Sequence, residues 1–313
     1  MPKLVILSLA ALVGTAIATA TASPEQTIAS GNIDALLKSL AGSQDAASLN
    51  MLSRAYYAIE HWDDAVTNGE KAVALSQDNA TYHWWLGRAY GEKAASVNPL
   101  SAASLARKTK AEFEEAVKLD PGNVQAHADL AEYYTEAPSI MGGGIDKARE
   151  QATQVAKYDQ ATSHWILAKI AEKEKRFPDA ESELQKAIQS AKDPSRYWMS
   201  LASFYRRRSR FDDMQKAIAQ AIAPPNKNAE VYYNAASELF QSVKDLPSAV
   251  QYLKKYLDSA AMVEDAPAFR AHYLLGQVYE KIGKKPDAVA EYKASLSLAS
   301  GFAPASKALG RLQ

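Results

Sequence analysis

The sequence predicts an all-α solenoid, a right-handed superhelix of stacked helical hairpins, and three observations support this prediction. A pattern of Leu, a small residue and, four positions after the Leu, a Tyr recurs at spacings of 34, 44, 37, 34, 35 and 39 residues, and such a period is typical of helical repeats. Gly and Pro number only 14 and 13 in 313 residues, too few for a collagen-like or Gly/Pro-rich disordered chain. Hydrophobic residues make up 47% of the chain, enough for a continuous core.

The first 22 residues are predicted to be an export signal. Lys3 precedes the apolar run 4–12, and small residues follow up to Ala20-Thr21-Ala22, a pattern typical of a signal peptide cleaved after Ala22. A membrane span needs about 20 apolar residues, and three Thr residues interrupt this stretch. We therefore expect an exported protein, periplasmic or secreted, with no stable membrane anchor after cleavage.

Seven units carry the recurring pattern after this segment. They are centred on Leu52, Leu86, Leu130, Leu167, Leu201, Ala236 and Leu275. Leu and Tyr four positions apart lie on one face of a helix, and the small residue beside the Leu allows a second helix to approach. Each unit is therefore predicted to be an antiparallel helix pair, in which Leu86 and Tyr90 face the second helix of their own unit. Pro178-Asp179 and Pro286-Asp287 suit the first turn of a second helix.

These residues resemble the tetratricopeptide repeat over roughly residues 46–300. The matching residues include Trp198, Leu201, Ala202 and Tyr205 in one unit and Leu86, Gly87, Tyr90, Phe113, Ala116 and Pro121 in another. The early Trp is kept only as Trp198 and the terminal Pro only as Pro121. The resemblance implies a non-catalytic protein whose first helices line a concave, ligand-binding surface.

The predicted organisation has four parts. Residues 1–22 are the signal peptide, 23–45 a linker with a half-repeat helix, 46–300 about seven units, and 301–313 a C-terminal capping helix, which is needed because the end of an open solenoid exposes apolar surface. An insertion near 91–108 is expected to lengthen one hairpin, with Asn98-Pro99 at its turn. A second insertion, near 136–145, contains Ile140 and Met141, which either pack onto the solenoid or contact a partner.

The composition excludes several chemical functions. Lys plus Arg and Asp plus Glu both number 36, so the formal net charge is zero, which argues against nucleic-acid binding. The chain has no Cys, and therefore no disulfide, thiolate zinc site or thiol nucleophile. Neither a His-Glu-x-x-His zinc motif nor a Gly-x-Ser-x-Gly elbow occurs. We expect no enzymatic activity, no bound metal and no cofactor.

Four of the five His residues share one repeat position, three residues before the Leu. They are His83, His127, His164 and His272. Because each lies in a different unit, they are too far apart to share one metal ion. We expect half-buried, hydrogen-bonded spacers between helices.

The resemblance places a ligand-binding groove on the concave face. The residues that it assigns to this groove are Asn50, Arg54, Tyr57, Trp84, Arg88, Trp165, Lys169, Arg206, Arg207, Asn234, Tyr273 and Gln277. Arg and aromatic side chains are enriched at binding hot spots. The alternative for Trp84 and Trp165 is that they pack inward between helices and do not line the groove. Arg88 lies about 200° around the helix from Leu86, so we expect its truncation to leave stability nearly unchanged.

One charge run stands out, from Arg206 to Arg210. It is either a cationic helix C-terminus matched to the helix dipole or an anion-binding patch.

The sequence as a whole predicts an interaction scaffold of the cell envelope or periplasm that binds a peptide or a partner's helix in its groove. The alternative is a carbohydrate- or peptidoglycan-binding module, for which the groove aromatics and Arg would serve equally.

Overall fold

The computed structural model describes residues 24–224 and 228–313, and within them every regular element is a helix. In chain order the helices are α1 (Pro24–Ala29), α2 (Ile33–Ser39), α3 (Ala46–Ala58), α4 (Trp62–Leu75), α5 (Ala80–Ser96), α6 (Pro99–Leu119), α7 (Val124–Glu136), α8 (Ile145–Val155), α9 (Gln160–Lys173), α10 (Phe177–Ser190), α11 (Ser195–Arg207), α12 (Phe211–Ala221), α13 (Glu230–Ser242), α14 (Leu246–Leu257), α15 (Ala268–Lys281), α16 (Lys285–Leu298) and α17 (Ala303–Leu312). A 3₁₀ turn occupies Ser139–Met141. The predicted export signal lies outside the described residues.

Helices α3 to α16 form seven consecutive hairpins. The predicted all-α solenoid is confirmed. The hairpin of α5 and α6 is the longest of the seven, with helices of 17 and 21 residues. Its turn is at Asn98, whose side chain accepts hydrogen bonds from the backbone N–H groups of Leu100 and Ser101, both at 3.1 Å, and so caps α6.

The turns inside the hairpins share one backbone feature. The eighth residue after the repeat Leu has a positive φ in four units, as Glu60, Lys175, Ser209 and Gly283. A residue in this left-handed conformation ends the first helix and lets the chain reverse. Only Gly adopts it without steric cost, so the other three positions are held there by the packing of the hairpin.

The first helix of a unit contacts its own second helix through the small residue and, in the four units that have one, through the His. A Cβ atom on Gly276 would lie 2.5 Å from the ring of Tyr292 in α16. His83 Nδ1 lies 2.6 Å from Glu112 Oε2 in α6. The equivalent pairs, each at 2.7 Å, are His127 with Gln151, His164 with Glu183 and His272 with Glu291. The prediction that these His residues are hydrogen-bonded spacers is confirmed.

The repeat Tyr of three units, and the repeat Leu of one of them, contact the preceding unit. Leu86 and Tyr90 pack with Ala65 and Val66 of α4. The Tyr90 hydroxyl donates to Glu70, also in α4; Tyr134 likewise donates to Glu114, and Tyr205 to Glu181, both at 2.6 Å. The prediction that Leu86 and Tyr90 both face their own second helix is therefore wrong for Leu86. Tyr90 contacts both helices, because Lys108 Nζ of α6 donates to its hydroxyl at 3.2 Å. Successive helical residues differ by about 100°, so Gly87 faces α6 while Leu86 faces α4.

The two ends of the solenoid meet and close it into a ring. Ile28 of α1 and Ile33 of α2 are fully buried in one apolar cluster with Phe269 of α15 and with Phe302, next to α17. The rings of Phe269 and Phe302 lie edge to face, with centroids 5.0 Å apart. The terminal helices at each end therefore cover apolar surface that belongs to the other end.

Polar contacts join the same two ends. The guanidinium of Arg270 donates to the carbonyl oxygen of Ala58 at 3.0 and 2.9 Å. The Asp34 carboxylate accepts from the backbone N–H of Ser300. These partners are 212 and 266 positions apart in the chain, so closure depends on correct stacking of all the units between them.

We predict that Gly276→Ala destabilises the protein by about 1–3 kcal/mol, because the added methyl group overlaps the Tyr292 ring. Gly310→Ala is the matched control, since no atom lies within 4 Å of a Cβ there, and Ala favours the helix. Denaturant melts of both variants decide the point. Equal midpoints would mean that the α15–α16 contact is loose.

We predict that His83 makes stability depend on pH. The hydrogen bond with Glu112, and a further one at 2.9 Å from Nε2 to the Gln77 carbonyl, raise the pKa of His83 although burial opposes the rise. This stabilisation is fully present below the unfolded pKa of about 6.5 and is lost as pH rises through the folded pKa. In melts at pH values between ~6 and ~8, the free energy of unfolding should fall more steeply with rising pH for the native chain than for His83→Gln. The same slope in Glu112→Gln as in the native chain would refute this assignment.

Candidate functional site in the interior of the ring

The first helices line the interior of the ring, where an open cleft of about 580 Å³ lies among α5, α7, α9, α11 and α13. This volume falls within the usual range for ligand sites. Trp84, Arg88, Trp165 and Asn234, four of the residues assigned to the groove from the sequence, line this cleft together. The family resemblance therefore selected side chains from three separate units that meet at one place.

Two half-buried Trp residues form the apolar part of the cleft. Trp84 Nε1 donates a hydrogen bond of 2.7 Å to Asp129 Oδ2. Lys169 Nζ lies 5.6 Å from the centre of the Trp165 ring and pairs with Glu132 at 3.0 Å. The hydrogen bond fixes the Trp84 indole, and both indoles line the cleft while they also pack against apolar clusters of the core.

Carboxyl groups form the polar part of the cleft. Burial raises the pKa of Asp129 to about 6, against the opposing effects of the Arg88 charge and the Trp84 hydrogen bond. Burial also raises the pKa of Glu230, which accepts a hydrogen bond of 3.2 Å from Asn234. A ligand in this cleft therefore meets polar groups that have lost much of their hydration. Hydrogen bonds in such surroundings discriminate strongly between ligands that pair with these groups and ligands that do not.

A second, smaller cleft of about 260 Å³ adjoins the first, and Arg88 lines both. The Arg88 guanidinium lies over the rings of Tyr57, Trp84 and Trp85 at 5.0, 5.2 and 4.4 Å from their centres. It also pairs with Asp265 at 2.8 Å. Its side chain is only 18% exposed, so the expectation that Arg88 behaves as a free surface residue is wrong.

The closure of the ring covers other residues assigned to the groove. Asn50 and Arg54 are buried, and Arg54 is paired with Glu25 and Glu264. Tyr273 packs against Phe302 in the closure cluster and accepts a hydrogen bond from Gln277. A groove that is open at its ends would have left these inner-face positions accessible.

The charged run from Arg206 to Arg210 is largely paired, and the loop of the second insertion, near residues 136–145, is partly exposed. Arg206 pairs with Glu238, Arg207 with Glu172, and Arg210 with both Glu181 and Asp213, while Arg208 lies 3.7 Å from the centre of the Phe177 ring. Carboxylates therefore neutralise most of this run, which does not support an anion-binding patch. In the loop, Ile140 is 87% exposed, whereas the Met141 carbonyl accepts a hydrogen bond from Tyr133.

Sequence reasoning missed four side chains of the interior. Trp85 and Asp129 each precede a repeat Leu by one position, a register that was not assigned to the groove. Glu264 and Asp265 lie in the segment between α14 and α15. The spacing of 39 residues between Ala236 and Leu275 indicated extra residues in that unit, but spacing alone does not tell on which face an inserted loop lies.

Across 24–224 and 228–313, no group of three or more His, Asp or Glu side chains is arranged to hold a metal ion. None of the helices in this part of the chain is long and apolar enough to cross a bilayer.

Comparisons with known proteins give matches of two kinds. A family model described as TPR repeat matches residues 54–93, and one described as Tetratricopeptide repeat matches 142–197 and 234–304. Among solved structures, the chain is similar to TTC0263, a thermophilic TPR protein of Thermus thermophilus, with 19% identity and a TM-score of 0.46 over 62% of this chain and 98% of that one.

Two further solved structures are similar to the chain. A tetratricopeptide repeat protein from Parabacteroides merdae has 13% identity and a TM-score of 0.43, over 90% of this chain and 98% of that one. The APC/C hetero-tetramer Cut9-Hcn1 has 14% identity and a TM-score of 0.43, over 90% of this chain and 58% of that one. No curated protein sequence matches the chain.

We predict that Arg88→Ala lowers the free energy of unfolding by about 1–3 kcal/mol, because it removes stacking on three aromatic rings and the partner of Asp265. Arg107→Ala, at an exposed position of α6, is the control and should stay within ~0.5 kcal/mol of the native chain. Equilibrium denaturation of the three proteins gives the answer. A loss no larger than that of the control would show that Arg88 does not support the ring.

Proposed function

The chain contains tetratricopeptide repeats, and from this premise we propose that it is a non-catalytic interaction protein that holds a segment of a partner protein in the cleft inside its ring. The observation that carries the proposal is the convergence of Trp84, Trp165 and Asn234, from three different units, on one cleft of about 580 Å³. Aromatic surfaces beside a few fixed polar groups are typical of binding sites.

The lining favours a peptide over a sugar. A sugar-binding site needs broad, uncovered aromatic planes, but the Trp84 ring is tilted by 52° against Trp85 at 5.1 Å, and a cation lies over each of the two cleft indoles. Polar side chains from several helices, including Gln125, Ser200 and Asn234, also line the cleft. Hydrogen-bond donors and acceptors that point in different directions can pair with the backbone amides and the varied side chains of a peptide.

We further propose that this scaffold acts in the cell envelope or periplasm. The support comes from the sequence at residues 1–22, where a basic residue, a short apolar run and small residues before Ser23 have the form of an export signal. Sequencing the N-terminus of the mature protein tests this proposal. A protein that retains Met1 and is found in the cytosol would contradict export.

We predict that filling the cleft prevents partner binding without unfolding the ring. Ser200 lines the cleft, and Ser200→Trp would occupy its volume while leaving the apolar core intact. A partner is first identified by photo-crosslinking from position 234, inside the cleft, with position 216 on an outer helix as the comparison. We expect at least ~10-fold weaker binding of that partner by Ser200→Trp.

Ser190→Trp is the matched control, since Ser190 lies exposed at the end of α10. Its affinity for the crosslinked partner should equal that of the native chain. Soluble glycan fragments are titrated in parallel. Equal binding by both Trp variants, or glycan binding that Ser200→Trp abolishes while no protein is crosslinked, would overturn the proposal.

A further inference from the structure

The interior of the ring already contains a segment of the chain itself. Residues 258–267, between α14 and α15, form a loop that we call the inner loop. Two of its three acidic residues, Glu264 and Asp265, reach the inner faces of α3 and α5 and line the smaller cleft. Asp265 also lines the central cleft. The inner loop therefore lies where two binding surfaces meet.

Two ion pairs hold the tip of the inner loop. Glu264 accepts from Arg54 through both carboxylate oxygens, with Nε to Oε1 at 2.9 Å. The Glu264 side chain is 16% exposed and that of Arg54 is 9% exposed. Asp265 accepts from Arg88 Nη2 at 2.8 Å, and its side chain is 61% exposed. One pair is thus buried, and the other is accessible from the cleft.

The rest of the inner loop is held by Tyr256 and by apolar packing. Ala266 is buried in the core, and Met262 and Val263 pack against that core. Tyr256, fully buried in α14, donates to the Ala266 carbonyl at 2.7 Å and accepts from the Val263 N–H at 2.9 Å. Residues 259–261 contain two exposed side chains, and Met262 and Val263 are half-buried. The base of the loop is therefore fixed by Tyr256 and by packing against the core, whereas Glu264 and Asp265 at its tip are held mainly by charge.

Resting on the proposed function, we propose that the inner loop is an intramolecular occupant of the binding surface and that an acidic segment of the partner replaces it. If Glu264 and Asp265 left without replacement, Arg54 would remain buried without its main counter-charge, which is costly. A ligand that displaces the loop must therefore supply carboxylates to Arg54 and Arg88. Because Arg88 and Asp265 line both clefts, a segment in the central cleft reaches this pair directly.

The tether gives the inner loop an advantage over any free peptide. A segment linked to its site by a short chain has an effective concentration on the order of millimolar. The apparent affinity of a competing ligand falls in proportion to the fraction of molecules whose site is open. Weakening the loop should therefore reveal a latent affinity for acidic peptides.

The experiment uses the full chain and a labelled, end-capped peptide with the sequence of residues 259–267, Ser-Ala-Ala-Met-Val-Glu-Asp-Ala-Pro. Fluorescence anisotropy measures its binding to the native chain, to Asp265→Asn and to the double variant Glu264→Gln, Asp265→Asn. We expect binding at least ~10-fold tighter for Asp265→Asn than for the native chain, and tighter still for the double variant. A peptide with Gln and Asn in place of Glu and Asp should not bind.

Asp258→Asn, at the start of the same loop, is the control and should bind the peptide no better than the native chain. The double variant leaves Arg54 with Glu25 as its one carboxylate partner in the described part of the chain. If its circular dichroism shows unfolding, Asp265→Asn decides alone, since Asp265 is mostly exposed. Folded variants that gain no affinity would overturn the proposal, as would an equal gain for the Gln/Asn peptide.

The Ser200→Trp measurement separates this proposal from the proposed function. If Ser200→Trp blocks the crosslinked partner and the loop variants gain no peptide affinity, the inner loop is structural and the cleft proposal stands. If the loop variants gain affinity and Ser200→Trp has no effect on the partner, the surface beside Arg54 and Arg88 binds acidic segments and the central cleft is not the partner site.

Discussion

The burial of two apolar ends is the constraint on which the arrangement of this molecule depends. A stack of helical hairpins has a first and a last face with no neighbour to cover them. Here α1 and α2 at one end meet α15 and α17 at the other, and Ile28, Phe269 and Phe302 are buried together. Closing the stack on itself turns a concave surface into an interior. Side chains that would face solvent in an open solenoid, such as Arg54, become buried and need partners.

The path of the ring follows from two contacts that each first helix makes. One side, with Gly276 or His83, faces the second helix of the same unit. The adjacent side, with Leu86 and Tyr90, faces the second helix of the preceding unit. Because both contacts recur with fixed geometry, the rotation from one unit to the next accumulates along the chain. A change at either contact in any unit therefore shifts the meeting of the two ends, although no residue of that unit touches the closure.

The sequence was sufficient for features that recur in every unit and insufficient for features that occur once. The Leu–Tyr spacing and the shared His position predict helices and their hydrogen-bonded spacers, because each unit presents the same local geometry. Periodicity cannot tell which neighbouring helix a face contacts, so Leu86 was assigned to the wrong one. It also carries no signal for closure, since contacts such as Asp34 with Ser300 span 266 positions. The burial of Asn50 and Arg54 and the partial burial of Tyr273 depend on those contacts. The family resemblance does not show them, so it assigned all three residues to an open groove.

Stability and binding share side chains in this ring. Arg88 stacks on Tyr57, Trp84 and Trp85 and pairs with Asp265, while it also lines the central cleft. Arg54 joins α1, through Glu25, to the inner loop, through Glu264. A ligand that takes over either guanidinium changes a contact that holds the inner loop, and thermodynamic linkage makes the effect reciprocal. Occupancy of the interior and the position of the inner loop are therefore coupled by the same two Arg residues. The coupling needs no relay through the repeats, because both equilibria compete for the same hydrogen-bond donors.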